Sequence, residues 1–126
     1  MSNPIPVLYG IPNCDTVKRA RAWLGGQGVA YTFHDFKKQG VPEAELDRWM
    51  DAAGWERVLN RQGTTWRKLD EPVRAGVNDA PAARVVMLGH PSVIKRPVVD
   101  WGDRITVGFD EAAWTQNLTG ALPSRP

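Results

Sequence analysis

The sequence holds a single cysteine, Cys14, in 126 residues. One thiol excludes an internal disulfide, and it excludes a zinc site built from clustered thiolates. Histidine is almost as scarce: His34 and His90 stand far apart, neither with a second ligand type at metal-binding spacing, so no metal site is expected. Charge of one sign is scarce too. Sixteen basic and fourteen acidic residues leave +2, far from the basic excess of a nucleic-acid binder. No run approaches the roughly 18 apolar residues of a spanning helix. The opening stretch, MSNPIPVLYG, lacks the basic-then-apolar order of a secretory signal. A soluble, monomeric, cytoplasmic protein with neither nucleic acid nor membrane as partner is the expectation.

What is present fits one globular unit. Apolar residues make up 42% and charged residues 24%, the balance of a chain that folds in water. The length suits one domain with one core. Residues 1–118 are expected to form it, with 119–126 as a flexible Gly/Pro/Ser tail. Six tryptophans read as core and cleft packing rather than a base-stacking platform, given the weak net charge.

Along the chain, Ile5 to Tyr9 is a short apolar run ending at Gly10, followed by the Ile11-Pro12-Asn13 turn and a helical pattern from about Asp15 to Gln27. Val17, Ala20 and Leu24 recur on one helical face, with Lys18, Arg19 and Arg21 opposite. Gly28 supplies the stop. Val29 to Phe36 is rich in aromatic and β-branched residues and reads as a second strand. Strand, helix, strand at this spacing makes a right-handed βαβ unit with parallel strands.

From about Pro42 to Gly89 helical patterns alternate with breaks. One helix is expected through Ala53, a shorter piece over Trp55 to Leu59, a loop over Asn60 to Thr65, and a turn of helix over Trp66 to Leu69. A further helix follows, capped by Asp79 and carrying Ala82, Val85, Val86 and Leu88. Val98 to Trp101 and Ile105 to Gly108 then flank a Gly102-Asp103 turn as a hairpin, and a last helix covers about Asp110 to Leu118. The fold class is therefore α/β: a thioredoxin-like fold with a mixed four-stranded sheet, and a helical insertion between the βαβ unit and the C-terminal β-hairpin.

Chemistry in a βαβ unit sits at the carboxyl ends of the strands, which is where Cys14 falls. It stands at the first turn of the helix, where unpaired N–H groups and the dipole favour thiolate over thiol. The free value is about 8.5, and each unit of depression corresponds to about 1.4 kcal/mol of preference for the anion. A lone cysteine is ordinarily a small buried hydrophobe. The polar Pro12-Asn13-Cys14-Asp15-Thr16 surroundings favour the reactive reading instead. Val17 occupies the position where a second cysteine would close a Cys-x-x-Cys disulfide, so a resolving thiol must come from outside the chain. Ala20 occupies the arginine position of a Cys-x5-Arg phosphate loop, which argues against a tyrosine phosphatase.

Three segments carry a family resemblance: Tyr9-Gly10-Ile11-Pro12-Asn13-Cys14-Asp15-Thr16, then Asn60 to Leu69 (NRQGTTWRKL), then Ile94-Lys95-Arg96-Pro97-Val98. In order and spacing they resemble the arsenate-reductase-like (ArsC/Spx) family, the second segment most resembling its YffB branch. The resemblance implies that Cys14 is the nucleophile and that Arg96 holds an anion beside it. By the same token Arg61 is a less central anion partner and Arg96-Pro97 is a cis peptide. Asn13 and Pro97, beside these residues, are further candidates for the substrate site, as is Thr64, whose hydroxyl can hydrogen-bond a peptide-like substrate. Lys95 adds positive potential near the thiol. The third arginine of the arsenate reductases falls on Gly108 here, which argues against arsenate reduction.

The expected activity is that of a glutathione-dependent thiol oxidoreductase working through a mixed disulfide or thiol adduct. No tightly bound cofactor is expected. Glutathione is the co-substrate, with a thiol or disulfide substrate and glutaredoxin as possible partners. The alternatives are an arsenate reductase coupled to glutathione or glutaredoxin, and a Spx-like redox regulator that binds RNA polymerase.

Overall fold

A computed structural model describes residues 5–121, with side chains described through Gln116. The central strand β1 (Val7–Gly10) lies between β2 (Thr32–Asp35) and β3 (Val98–Asp100). β4 (Ile105–Val107) completes the order β2-β1-β3-β4. β1 runs parallel to β2 and antiparallel to β3, and β3 and β4 form the antiparallel hairpin. The sheet is mixed and four-stranded, in the thioredoxin-like arrangement.

Period-two alternation along the strands builds two cores, one on each face. Leu8 pairs with Val99 and Tyr9 with Val98. Leu8 and Val99 enter a cluster with Val17, Ala20, Leu24 and Trp114. Tyr9 and Val98 enter a larger cluster with Phe36, Leu46, Trp49 and Met87. The first cluster is covered by α1 (Asp15–Gly26) and α8 (Glu111–Ala121). Val17, Ala20 and Leu24 are fully buried on α1, and a leucine so placed stabilises by about 1.5–3 kcal/mol relative to exposure.

The other face is covered by the helical insertion: α2 (Phe36–Gln39), α3 (Glu43–Ala53), α4 (Trp55–Val58), α5 (Thr64–Lys68), α6 (Glu71–Ala75) and α7 (Ala80–Gly89). A 3₁₀ turn, Pro91–Val93, follows. Arg84 ties α7 to α3 by donating to Asp47 at 2.7 Å and Glu43 at 3.0 Å. Asp79 caps α7 by accepting from the Ala82 N–H at 3.0 Å.

Several boundaries differ from the sequence expectation for local reasons. β2 begins only at Thr32 and stops before Phe36. The Asp35 carboxylate accepts from the Lys37 N–H at 2.8 Å and caps α2, so Phe36 opens a helix instead of ending a strand. Thr64 and Thr65, expected in a loop, form the first turn of α5. α6 was not expected; it is five residues long with Pro72 in its first turn. Val85 belongs to the outer side of α7 and is 70% exposed, the buried face being Ala83, Val86 and Met87. α8 continues to Ala121, past the expected domain end at 118; residues 122–126 of the expected tail lie outside the described residues. No helix among the described residues is long and apolar enough to cross a membrane.

Candidate functional site

Close packing at the end of β1 places the thiol. A Cβ on Gly10 would come within 2.9 Å of Val17 Cγ2, so only glycine lets the strand end lie this near α1. The chain then turns through Ile11, Pro12 and Asn13 and enters α1 with Cys14 as the N-cap residue. The Cys14 carbonyl accepts the first helical hydrogen bond, from Lys18 N–H at 2.8 Å. In an N-cap position the side chain lies toward the N–H groups two and three residues on, here those of Thr16 and Val17.

The opposite wall comes from the segment before β3. An isolated antiparallel bridge joins Leu59 to Ile94. It is flanked by Asn60 N–H donating to the Val93 carbonyl and Lys95 N–H donating to the Val58 carbonyl, both at 2.7 Å. These bonds bring the second and third signature segments together. Arg96 Nη1 donates to the carbonyls of Ser92 at 2.7 Å and Ile94 at 3.3 Å, which fixes the guanidinium. Its Nε is buried without a hydrogen-bond partner, leaving a donor in reserve. The Arg96–Pro97 peptide is cis, and the Pro97 carbonyl accepts from the Gly108 N–H at 2.8 Å.

Between these walls lies a cleft of about 390 Å³ that Cys14 and Arg96 share. Thr16, Arg19, Asn60, Lys95 and Asp110 supply its other polar lining, with Val107, Gly108 and Phe109 as the apolar part. Three cations thus face one carboxylate. Cys14 is half-buried. Burial pushes its thiol up; the Val17 N–H, the Arg96 guanidinium as donor and charge, and the Thr16 N–H push it down, and the balance lies below the ordinary value. The thiol closes no capping hydrogen bond by distance and angle, so the two N–H groups act on it as weaker donors at longer range. The cleft can therefore hold a thiolate and an incoming anion together.

The remaining sequence-derived site residues are distributed differently. Asn13 is exposed next to Cys14 and does not line the cleft. Pro97 is buried beneath the wall, where its carbonyl anchors Gly108. Thr64 is exposed at the start of α5, away from the cleft. Arg61 lies in an adjoining depression, 3.9 Å from Glu56 and with its guanidinium 5.5 Å from the centre of the Trp55 ring. Arg19, Thr16, Phe109 and Asp110 were not among the expected site residues. Arg19 and Thr16 share one face of α1, three residues apart, and that spacing from Cys14 is the signal that would have found them. Gly108 has φ +88, and a Cβ there would lie 3.4 Å from Lys95 Cε. The Lys95 stem therefore passes over the position where the resemblance puts a third arginine.

A thioredoxin-like sheet carrying one half-buried cysteine at a helix start, beside an arginine and a cis-proline, defines a single-thiol member of that fold. The chain belongs to the ArsC family, whose model matches residues 9–117. It is similar to the solved structure of a protein named YffB, at 50% identity and a TM-score of 0.84 over 88% of this chain and 96% of that one. An arsenate reductase (ArsC) related protein from Brucella melitensis is 47% identical with a TM-score of 0.72, over 94% of this chain and 98% of that one. An uncharacterised Haemophilus influenzae protein is 36% identical over 82% of this chain and 90% of its own length. The global transcriptional regulator Spx of Streptococcus mutans is 25% identical over 82% of this chain and 76% of its own. Relatives named for reduction and relatives named for regulation thus share the scaffold.

Proposed function

We propose that the protein is a glutathione-dependent thiol reductase with Cys14 as nucleophile and Arg96 as the group that holds thiolate and substrate anion. The observation that carries the reading is the placement of the Cys14 sulfur between the first-turn N–H groups of α1 and the fixed Arg96 guanidinium, with a net downward push on its pKa. In the first step the Cys14 thiolate attacks one sulfur of a substrate disulfide R–S–S–R′. The S–S bond breaks, Cys14–S–S–R forms, and R′–S⁻ leaves to take a proton from solvent. A glutathione thiolate then attacks the Cys14 sulfur and expels R–S⁻, and a second attacks the glutathione sulfur of the resulting adduct. Cys14 returns as thiolate, and two glutathione molecules leave oxidised as one disulfide. The electrons come from glutathione, in a compartment such as the cytoplasm that keeps it reduced.

Arsenate reduction is the weaker reading. The third arginine of the family's arsenate reductases falls on Gly108, whose positive φ strains any side chain placed there. The test is incubation with oxidised glutathione followed by mass spectrometry, together with turnover of a glutathione mixed-disulfide substrate. A glutathione adduct at Cys14 and turnover lost in Cys14→Ser are expected. Absence of any adduct, with arsenate reduced instead, contradicts the proposal.

A further inference from the structure

Next to the Cys14 cleft, and sharing Asn60, Lys95 and Val107 with it, lies a second depression of about 320 Å³. Its charged lining is Arg57, Arg61 and Lys95 against Glu56 alone. Among the described residues no carboxylate is within ion-pair distance of Arg57 or Lys95, and Arg61 has only the exposed Glu56 at 3.9 Å. An exposed pair at that distance is worth little and gives way to a better-placed anion. Taken together, the two concavities present five cations, Arg19, Arg57, Arg61, Lys95 and Arg96, and two carboxylates, Glu56 and Asp110. Excess positive potential therefore extends well beyond what the thiolate needs. Lys95 stands at the junction, its stem against Gly108.

We infer that the Arg57/Arg61 depression is a second anion subsite, which holds a carboxylate of the thiol co-substrate while its sulfur is at Cys14. The ligand class is a low-molecular-weight thiol with carboxylates at its extremities, as in a γ-glutamyl peptide, rather than a neutral or singly charged thiol. Arg57 and Arg61 are specificity residues: they meet the far end of the co-substrate and take no part in sulfur exchange. The inference rests on the thiol-transfer reading for the identity of its ligand, though not for the binding itself.

The test separates the two. S-methylglutathione has both carboxylates and no free thiol, so its binding to Cys14→Ser protein reads the subsite without chemistry. The comparison ligand is its glycyl ethyl ester, and isothermal titration calorimetry reads occupancy in parent and variants alike. The double variant Arg57→Gln/Arg61→Gln should weaken the diacid by about tenfold and lose the preference of diacid over ester, with Arg57→Lys/Arg61→Lys restoring most of the affinity. Unchanged urea midpoints are the control for folding. Equal binding of the diacid by parent and double variant, equal loss of diacid and ester, or no saturable binding at all overturns the subsite. If Cys14 forms no glutathione adduct while the diacid still requires the arginines, the thiol-transfer reading fails and the subsite stands. If adduct formation in the double variant keeps the parent's glutathione dependence, the reverse holds.

Discussion

At the residue scale the account turns on how Cys14 is held. Burial opposes its ionisation, while the Val17 N–H, Arg96 and the Thr16 N–H favour it and prevail. Replacing Arg96 by Gln removes its charge and leaves only a shorter, neutral amide donor, so the midpoint of Cys14 alkylation with pH should rise toward or past the free value of about 8.5. The same asymmetry has a stability consequence. A thiol whose folded pKa is depressed stabilises the fold fully above the unfolded pKa of about 8.5, and the contribution disappears as pH falls through the folded value. Wild type minus Cys14→Ser, followed by urea unfolding across that window, should rise with pH; a flat or falling difference contradicts the assignment. Cys14 stands out from the residues alone, in its polar loop, whereas Arg96 is singled out only by the family resemblance; the fold brings the two to one cleft. Arg19 reads in the sequence only as part of the polar face of α1, although its helical spacing from Thr16, beside Cys14, carries the signal.

At the element scale the site depends on the contact between β1 and α1. Gly10→Ala puts a methyl within 2.9 Å of Val17 Cγ2, and overpacking of this kind costs about 1–3 kcal/mol. The urea midpoint should fall, and alkylation of Cys14 should lose part of its low-pH reactivity as the helix start shifts. Leu24→Ala, fully buried on the same helix, should cost about 2–5 kcal/mol and leave the alkylation midpoint in place. Gly108→Arg does not restore a third clamp: at φ +88 a side chain carries strain of order 1–3 kcal/mol, so the expected result is lower stability without gain of arsenate turnover. The βαβ unit and the hairpin were readable because their apolar positions alternate or recur at 3.6. The short helices α2, α5 and α6 were not, since four or five residues give no period. What fixes them is tertiary: the Asp35 cap on α2, and burial of Trp66 from α5 against the larger core.

At the scale of the whole molecule, two apolar clusters clamp the sheet from opposite faces, and Cys14 lies at one edge where basic groups gather. A net charge of only +2 hides this local concentration, which is why composition alone gave no sign of the basic concavities. The rate of Cys14 reduction by glutathione should fall with added salt, because exposed cations are screened within about 10 Å at 0.1 M ionic strength. Reduction by 2-mercaptoethanol, whose thiolate carries no carboxylates, should fall less steeply. Relatives named as the regulator Spx show that one scaffold serves more than one end. If regulation were the role here, the protein would co-elute with RNA polymerase subunits and Cys14→Ser would leave that complex intact. The thiol-transfer account expects no such complex. The measurement that bears most directly on the central claim is the pH profile of Cys14 alkylation in wild type and Arg96→Gln. A wild-type midpoint clearly below about 8.5 that rises in the variant is the expected result. A midpoint at or above that value, or one that Arg96→Gln leaves unmoved, would contradict a nucleophile held ready by this cleft.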